Sequence, residues 1–234
     1  MVKDKKNIVK KEETSVPAVM GNQGILGSID PKDLLLPRVD VGQGLSPQVT
    51  SEKSPIKVGD LFNSVTEEVY EKPLLIIPVK NEKNFIKWVP RNQGGGIVYR
   101  TDDPKDERVI QDTKWGEDGS KPVCTAYLNY LCILPGQEMP VVASFHDTSY
   151  KAGRKLLTMM AMAGGRVQSY KLGATEKTNS FGTFQIFTIE KGELIEGADL
   201  ERAIDLHKVF SDIKMNFSEE RTEGDPVTEE TEEF

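Results

Sequence analysis

One helix set between two β-hairpins limits what this chain can become. The run VCTAYLNYLCIL (123–134) is long, apolar and rich in strand formers, and Pro135-Gly136 ends it. MPVVASF (139–145) returns beside it through a short turn, which makes a hairpin. A helix then spans 148–163, with Asp147 or Thr148 as its cap and Gly164-Gly165 as its stop. Ala152, Leu156, Met159 or Met160, and Ala163 recur at helical spacing as a buried stripe, while Lys151, Arg154 and Lys155 make a basic ridge. VQSYKLGATEK (167–177) and SFGTFQIFTIE (180–190) follow as strands around a tight Thr178-Asn179 turn. A last helix over about 198–213 presents Leu200, Ala203, Ile204, His207, Phe210 and Ile213 on one face.

The preceding residues add strands. PLLIIPV (73–79) is a continuous apolar run of strand length, and NEKN (81–84) is expected to turn it into FIKWV (85–89). In that second strand Phe85, Lys87 and Val89 point one way, and Ile86 and Trp88 the other. Gly94-Gly95-Gly96 is a loop, IVYR (97–100) a short strand, and 102–121 a polar excursion that carries Trp115. Before these, LFNSV and 67–70 pair as short strands, 38–58 has no clean period, and 30–37 holds at most one helical turn. Strands interrupted by one helix, with few helices overall, predict a mainly β domain of barrel or α+β type. A five-stranded oligonucleotide-binding barrel has its helix between the third and fourth strands, where 148–163 falls here. The expected organisation is a flexible leader over 1–30, an OB-fold-like barrel over 31–217 with an internal and a C-terminal helix, and a disordered acidic tail over 218–234.

That tail, SEERTEGDPVTEETEEF, holds eight acids against one base, a net charge of −7 that equals the formal charge of the whole chain. Residues 1–217 are therefore neutral in sum. A segment with so many like charges and so little to bury does not repay its ordering entropy, and it reads as an interaction tail.

Enzyme chemistry is thinly supplied. His146 and His207 are the two histidines, and no His/Cys cluster has metal-ligand spacing, so neither metal nor cofactor is expected. Gly94-Gly95-Gly96 lacks the Lys and hydroxyl residue of a phosphate loop, and no GxSxG or HExxH is present. Cys124 and Cys132, on one face of a strand and roughly 26 Å apart, are too distant for a disulfide and suit a reducing cytoplasm. No run approaches the roughly 20 apolar residues of a membrane span, and no secretory signal is readable at the N-terminus.

Binding chemistry is better represented. A single-strand binder needs cations to follow phosphates and aromatic faces on which bases stack. Lys87, Trp88 and Arg91, then Tyr99 and Arg100, place such residues side by side in consecutive strands. Tyr170-Lys171 and Phe181 after Lys177 repeat the association, and Arg154 and Trp115 add a cation and an indole.

The strand–helix–strand plan of roughly 60–215, followed by the ending EETEEF (229–234), resembles the single-stranded DNA-binding proteins of replication, especially those encoded by bacteriophages. The common bacterial ending has a Pro before the last Phe, whereas Glu232 and Glu233 stand there in this chain, as in the phage type. The resemblance implies a non-enzymatic protein of replication or recombination whose tail competes with DNA for a basic groove. Once released, Glu229, Glu230, Glu232, Glu233 and Phe234 would engage a polymerase, primase or helicase. An annealing protein is the neighbouring reading; a virion structural protein and a DNA-mimicking regulator are the rivals from other classes. The leader is one route to a homo-oligomer.

Overall fold

The computed structural model describes residues 36–89, 93–137, 139–179 and 182–211. Arg91, Phe181, the leader and the tail with Glu229, Glu230, Glu232, Glu233 and Phe234 lie outside them.

Nine strands among the described residues join one sheet: β1 (Arg38–Val41), β2 (Leu61–Asn63), β3 (Val69–Tyr70), β4 (Leu74–Trp88), β5 (Ile97–Thr101), β6 (Cys124–Ile133), β7 (Val141–Phe145), β8 (Gln168–Asn179) and β9 (Gly182–Leu194). Four α-helices among the described residues accompany them: α1 (Pro47–Thr50), α2 (Glu107–Asp112), α3 (Tyr150–Met162) and α4 (Gly197–Phe210). The fold is mainly β, of the barrel-like α+β kind that the order of elements predicts.

The sheet runs β3-β2-β1-β7-β6-β4-β8-β9, with β5 against β4. β4 makes it curl. Its first residues pair with β8, from Leu74 opposite Leu172 to Ile76 opposite Tyr170. From Ile77 to Lys87 it pairs with β6, across a register shift between Pro78 and Lys80. A first long strand that serves both the second and the fourth, with a helix between third and fourth, is the connectivity of the oligonucleotide-binding barrel. The difference lies at the seam. The third strand of that plan, β7, pairs in parallel with β1, and β1 in turn pairs with β2.

A side chain spans the gap that remains beside β9. Gln43, just past β1, donates from Nε2 to the Gln185 carbonyl at 2.8 Å, and its Oε1 accepts from the Gln185 amide at 2.8 Å. One carboxamide thus stands in for a strand residue, satisfying both backbone groups of its partner. Gln43→Ala is expected to cost about 1–3 kcal/mol in urea unfolding, the net worth of two such bonds. It should also speed hydrogen exchange at the Gln185 amide. An unchanged exchange rate there would mean that the clasp is not what holds the seam.

Two layers pack on the sheet. Inside the curl, Ile76, Leu128, Tyr130, Phe145, Tyr170, Leu172 and Ile189 form the main core, and α3 closes it with Leu156, which is fully buried. Gly153 permits the close approach, since a Cβ there would lie 2.7 Å from the Cβ of Phe145. The Tyr130 hydroxyl donates to the Gly153 carbonyl at 2.7 Å. On the outer face, α4 sets Ala203 and Leu206 on Ile77, Val79, Leu131, Ile133 and Val142. Lys80 fixes the end of α4 by donating to the Phe210 carbonyl at 2.8 Å, a cation where the helix dipole is negative. His207 bonds the Val79 carbonyl through Nδ1 at 2.7 Å.

Several local expectations differ from the structure. Residues 81–84 do not turn; they continue β4 as one strand of 15 residues. α3 has no side-chain cap from Asp147 or Thr148 and is entered instead through a 3-10 turn over Asp147–Ser149. Thr178-Asn179, the expected turn, belong to β8 as its last two residues. The polar excursion contains α2, capped by Asp106, whose carboxylate accepts from the Arg108 amide at 3.0 Å. Ile204 is 42% exposed, so the buried stripe of α4 runs through Ala203 and Leu206.

Candidate nucleic-acid interface

Above α4, the same outer face carries a polar and aromatic strip. Alternation along β6 puts Thr125, Tyr127 and Asn129 on the side of Leu131. The register brings Asn84, Ile86 and Trp88 of β4 beside them on one flank and Ser144 of β7 on the other. Arg100 of β5 lies opposite Ile86.

The strip is closely hydrogen-bonded. Trp88 donates from Nε1 to the Tyr127 hydroxyl at 3.1 Å, and the Tyr127 ring lies 4.5 Å from the imidazole of His146, tilted by 32°. His146 Nδ1 lies 2.9 Å from an Asp147 carboxylate oxygen. The Ser144 hydroxyl donates to the Asn129 side-chain oxygen. With the Asn84 amide oriented to satisfy both its groups, its oxygen accepts from Arg100 Nη2 at 2.7 Å and its nitrogen donates to the Lys83 carbonyl at 2.9 Å. Asn84, Tyr127 and Asn129 are buried, and their bonds offset the cost of that burial. Trp88, Arg100, Ser144 and His146 are the half-buried members that an incoming ligand would meet.

The remaining sequence-predicted residues are distributed elsewhere. Lys87 and Tyr99 sit opposite each other on the other side of the sheet, under α2. There Asp112 accepts from the Tyr99 hydroxyl at 2.9 Å and pairs with Lys87 at 3.0 Å. The Lys87 ammonium holds the Asp112 carboxyl below its ordinary pKa. Burial, then the neighbouring Cys124 and Asp112, push the Tyr99 phenol up. The Arg108 guanidinium lies 4.7 Å from the Tyr99 ring centre, so that face is already occupied. Tyr170 is 2% exposed, within the core, and has no face to offer a base. Lys171 is exposed on β8 opposite Glu190, and Trp115 is 66% exposed in the segment between α2 and β6. Arg154 lies exposed on α3.

Only Trp88 and Arg100 of the described predicted residues therefore share the outer strip. The sequence reading passed over Tyr127, Asn129 and Asn84, although the alternation Thr125-Tyr127-Asn129 in an otherwise apolar run was a usable signal. Among the described residues no group of three or more His, Cys, Asp or Glu is placed to hold a metal ion. Both cysteines are buried free thiols, and burial raises the pKa of each. No helix among the described residues is long and apolar enough to cross a membrane.

A curled α+β sheet with an internal helix, bearing a hydrogen-bonded aromatic strip on its outer face, defines a barrel-type protein. The chain belongs to the Pam3 phage gp34-like protein family, whose model matches residues 10–216. It is thus a phage-type protein by family. No curated protein matches it, and no solved structure does.

Proposed function

We propose that this chain is a non-enzymatic single-stranded DNA-binding protein of phage replication or recombination. The observation that carries the reading is the outer strip, where Trp88, Tyr127 and His146 run in series beside Arg100. A half-buried indole supplies a stacking face, and Arg100 supplies a charge for phosphate or a plane for a base. The barrel connectivity and the phage family agree with this reading without deciding it, since one fold hosts many functions. The acidic tail would compete with DNA for the cationic surface. When displaced, it would offer Phe234 to a replication partner.

Titration with oligo-dT at low salt is the test. Stacking on Trp88 quenches intrinsic fluorescence, and the observed affinity falls steeply with salt. The chain cut after Phe217 should bind more tightly than the whole chain at low salt. Absence of both quench and mobility shift would remove the reading in favour of a virion structural protein or a DNA mimic.

A further inference from the structure

Three side-chain cations on the described strands are neutralised where they stand. Lys80 pairs with Glu82, Lys87 with Asp112, and Arg38 with Asp40. The face of α3 is different. Asp147, Tyr150, Lys151, Arg154, Lys155 and Thr158 line one open depression of about 570 Å³. Lys155 is anchored by donating to the Ile189 carbonyl at 2.8 Å. Lys151 and Arg154, three residues apart and both exposed, make no ion pair among the described residues. Lys83 adds a fourth cation from β4, its ammonium 6.0 Å from the Tyr150 ring centre and 4.8 Å from that of Phe85. Four cations thus surround one carboxylate and one half-buried phenol.

This depression adjoins the outer strip. β7 leaves its pairing with β1 at Ala143, and its last residues lead directly into the 3-10 turn. His146 stacks on Tyr127 of the strip, and its imidazole meets Asp147, which lines the depression. The turn is tight, with Asp147 at φ 45°, a left-handed conformation uncommon for a residue with a side chain. A ligand that follows the strip to His146 therefore reaches the α3 cations by passing around the end of β7.

We infer that Lys151 and Arg154 form a second phosphate-binding segment, which continues the single-strand path from the outer strip around the end of β7. The inference rests on the single-strand reading and extends it from bases on the strip to backbone on α3. Lys83 and Tyr150 flank that segment, one as a charge and the other as an aromatic wall. The ligand class is the phosphodiester backbone of single-stranded nucleic acid. A short strand fills the strip alone, and a longer one engages both parts.

The experiment compares the full chain with its Lys151→Gln, Arg154→Gln double variant on two lengths of oligo-dT. One has about eight nucleotides, within the usual span for one such barrel, and the other about thirty, well beyond it. Circular dichroism checks the fold of the variant. On the long strand the slope of log affinity against log salt should fall by about 1.4, from two contacts at about 0.7 each. On the short strand the slope and the tryptophan quench should stay as they are. An unchanged slope on the long strand would overturn the second segment. An equal loss on both lengths would overturn the continuous path, since the cations would then belong to one compact site. If the unaltered chain binds neither length, the single-strand reading fails and this inference fails with it.

Discussion

Leu156→Ala should lower the unfolding free energy by about 3 kcal/mol, within the range seen for buried leucines that leave a cavity. Leu156 is fully buried and closes the inner core from α3, between strands that come from both halves of the sheet. The backbone of α3 is itself held close, by the Tyr130 bond to Gly153 and by the approach to Phe145. Little relaxation is therefore available to fill the space. In urea the midpoint falls while the slope with denaturant stays constant, the signature of lost stability without a change in compactness. Leu157, the next residue, is 39% exposed, and its replacement by Ala should change stability by no more than about 0.5 kcal/mol. A loss below about 1 kcal/mol at Leu156 would mean that α3 is not seated on the core as described.

Trp88→Ala should weaken oligo-dT binding by about 1–3 kcal/mol, the range measured when a stacking aromatic is removed. That corresponds to roughly five- to 150-fold in affinity. The indole also donates to the Tyr127 hydroxyl, so the alanine variant removes a platform and a bond together. Trp88→Phe separates the two. It keeps an aromatic face and loses the donor, and it should recover most of the affinity if stacking dominates. Equal losses for Phe and Ala would assign the effect to the Tyr127 bond, and no loss for either would exclude Trp88 as a platform. Trp115, 66% exposed outside the strip, serves as the control.

The barrel was readable because strand-length apolar runs and an amphipathic helix follow one another in a restrictive order. The site was less readable, for a geometric reason. Cation and aromatic are sequence neighbours at Lys87-Trp88, Tyr99-Arg100 and Tyr170-Lys171. Neighbours on a strand point to opposite faces. So Lys87 went to Asp112 while Trp88 went to Tyr127, and Tyr170 entered the core while Lys171 stayed outside. What shares a face with Trp88 comes from other strands, and register is set by long-range pairing that a single sequence does not display. The same cause explains 81–84. Asn81-Glu82-Lys83-Asn84 has the composition of a turn, yet Glu82 pairs with Lys80, Asn84 bonds Arg100, and Lys83 leans on Phe85. A polar run persists as strand when its backbone pairs with a neighbour, here from Asn81 opposite Tyr130 to Asn84 opposite Tyr127, and its side chains find partners along β4 or on β5.

The glutamine clasp at the seam has one more consequence. A strand margin with unsatisfied backbone groups is a template on which another chain can polymerise. Gln43 occupies both groups of Gln185 on the open margin of β9. Its carboxamide thereby acts as a stopper against cross-chain growth as well as an internal tie. Variants that lose it would declare themselves first as aggregates at high concentration, before any loss of secondary structure in the isolated molecule.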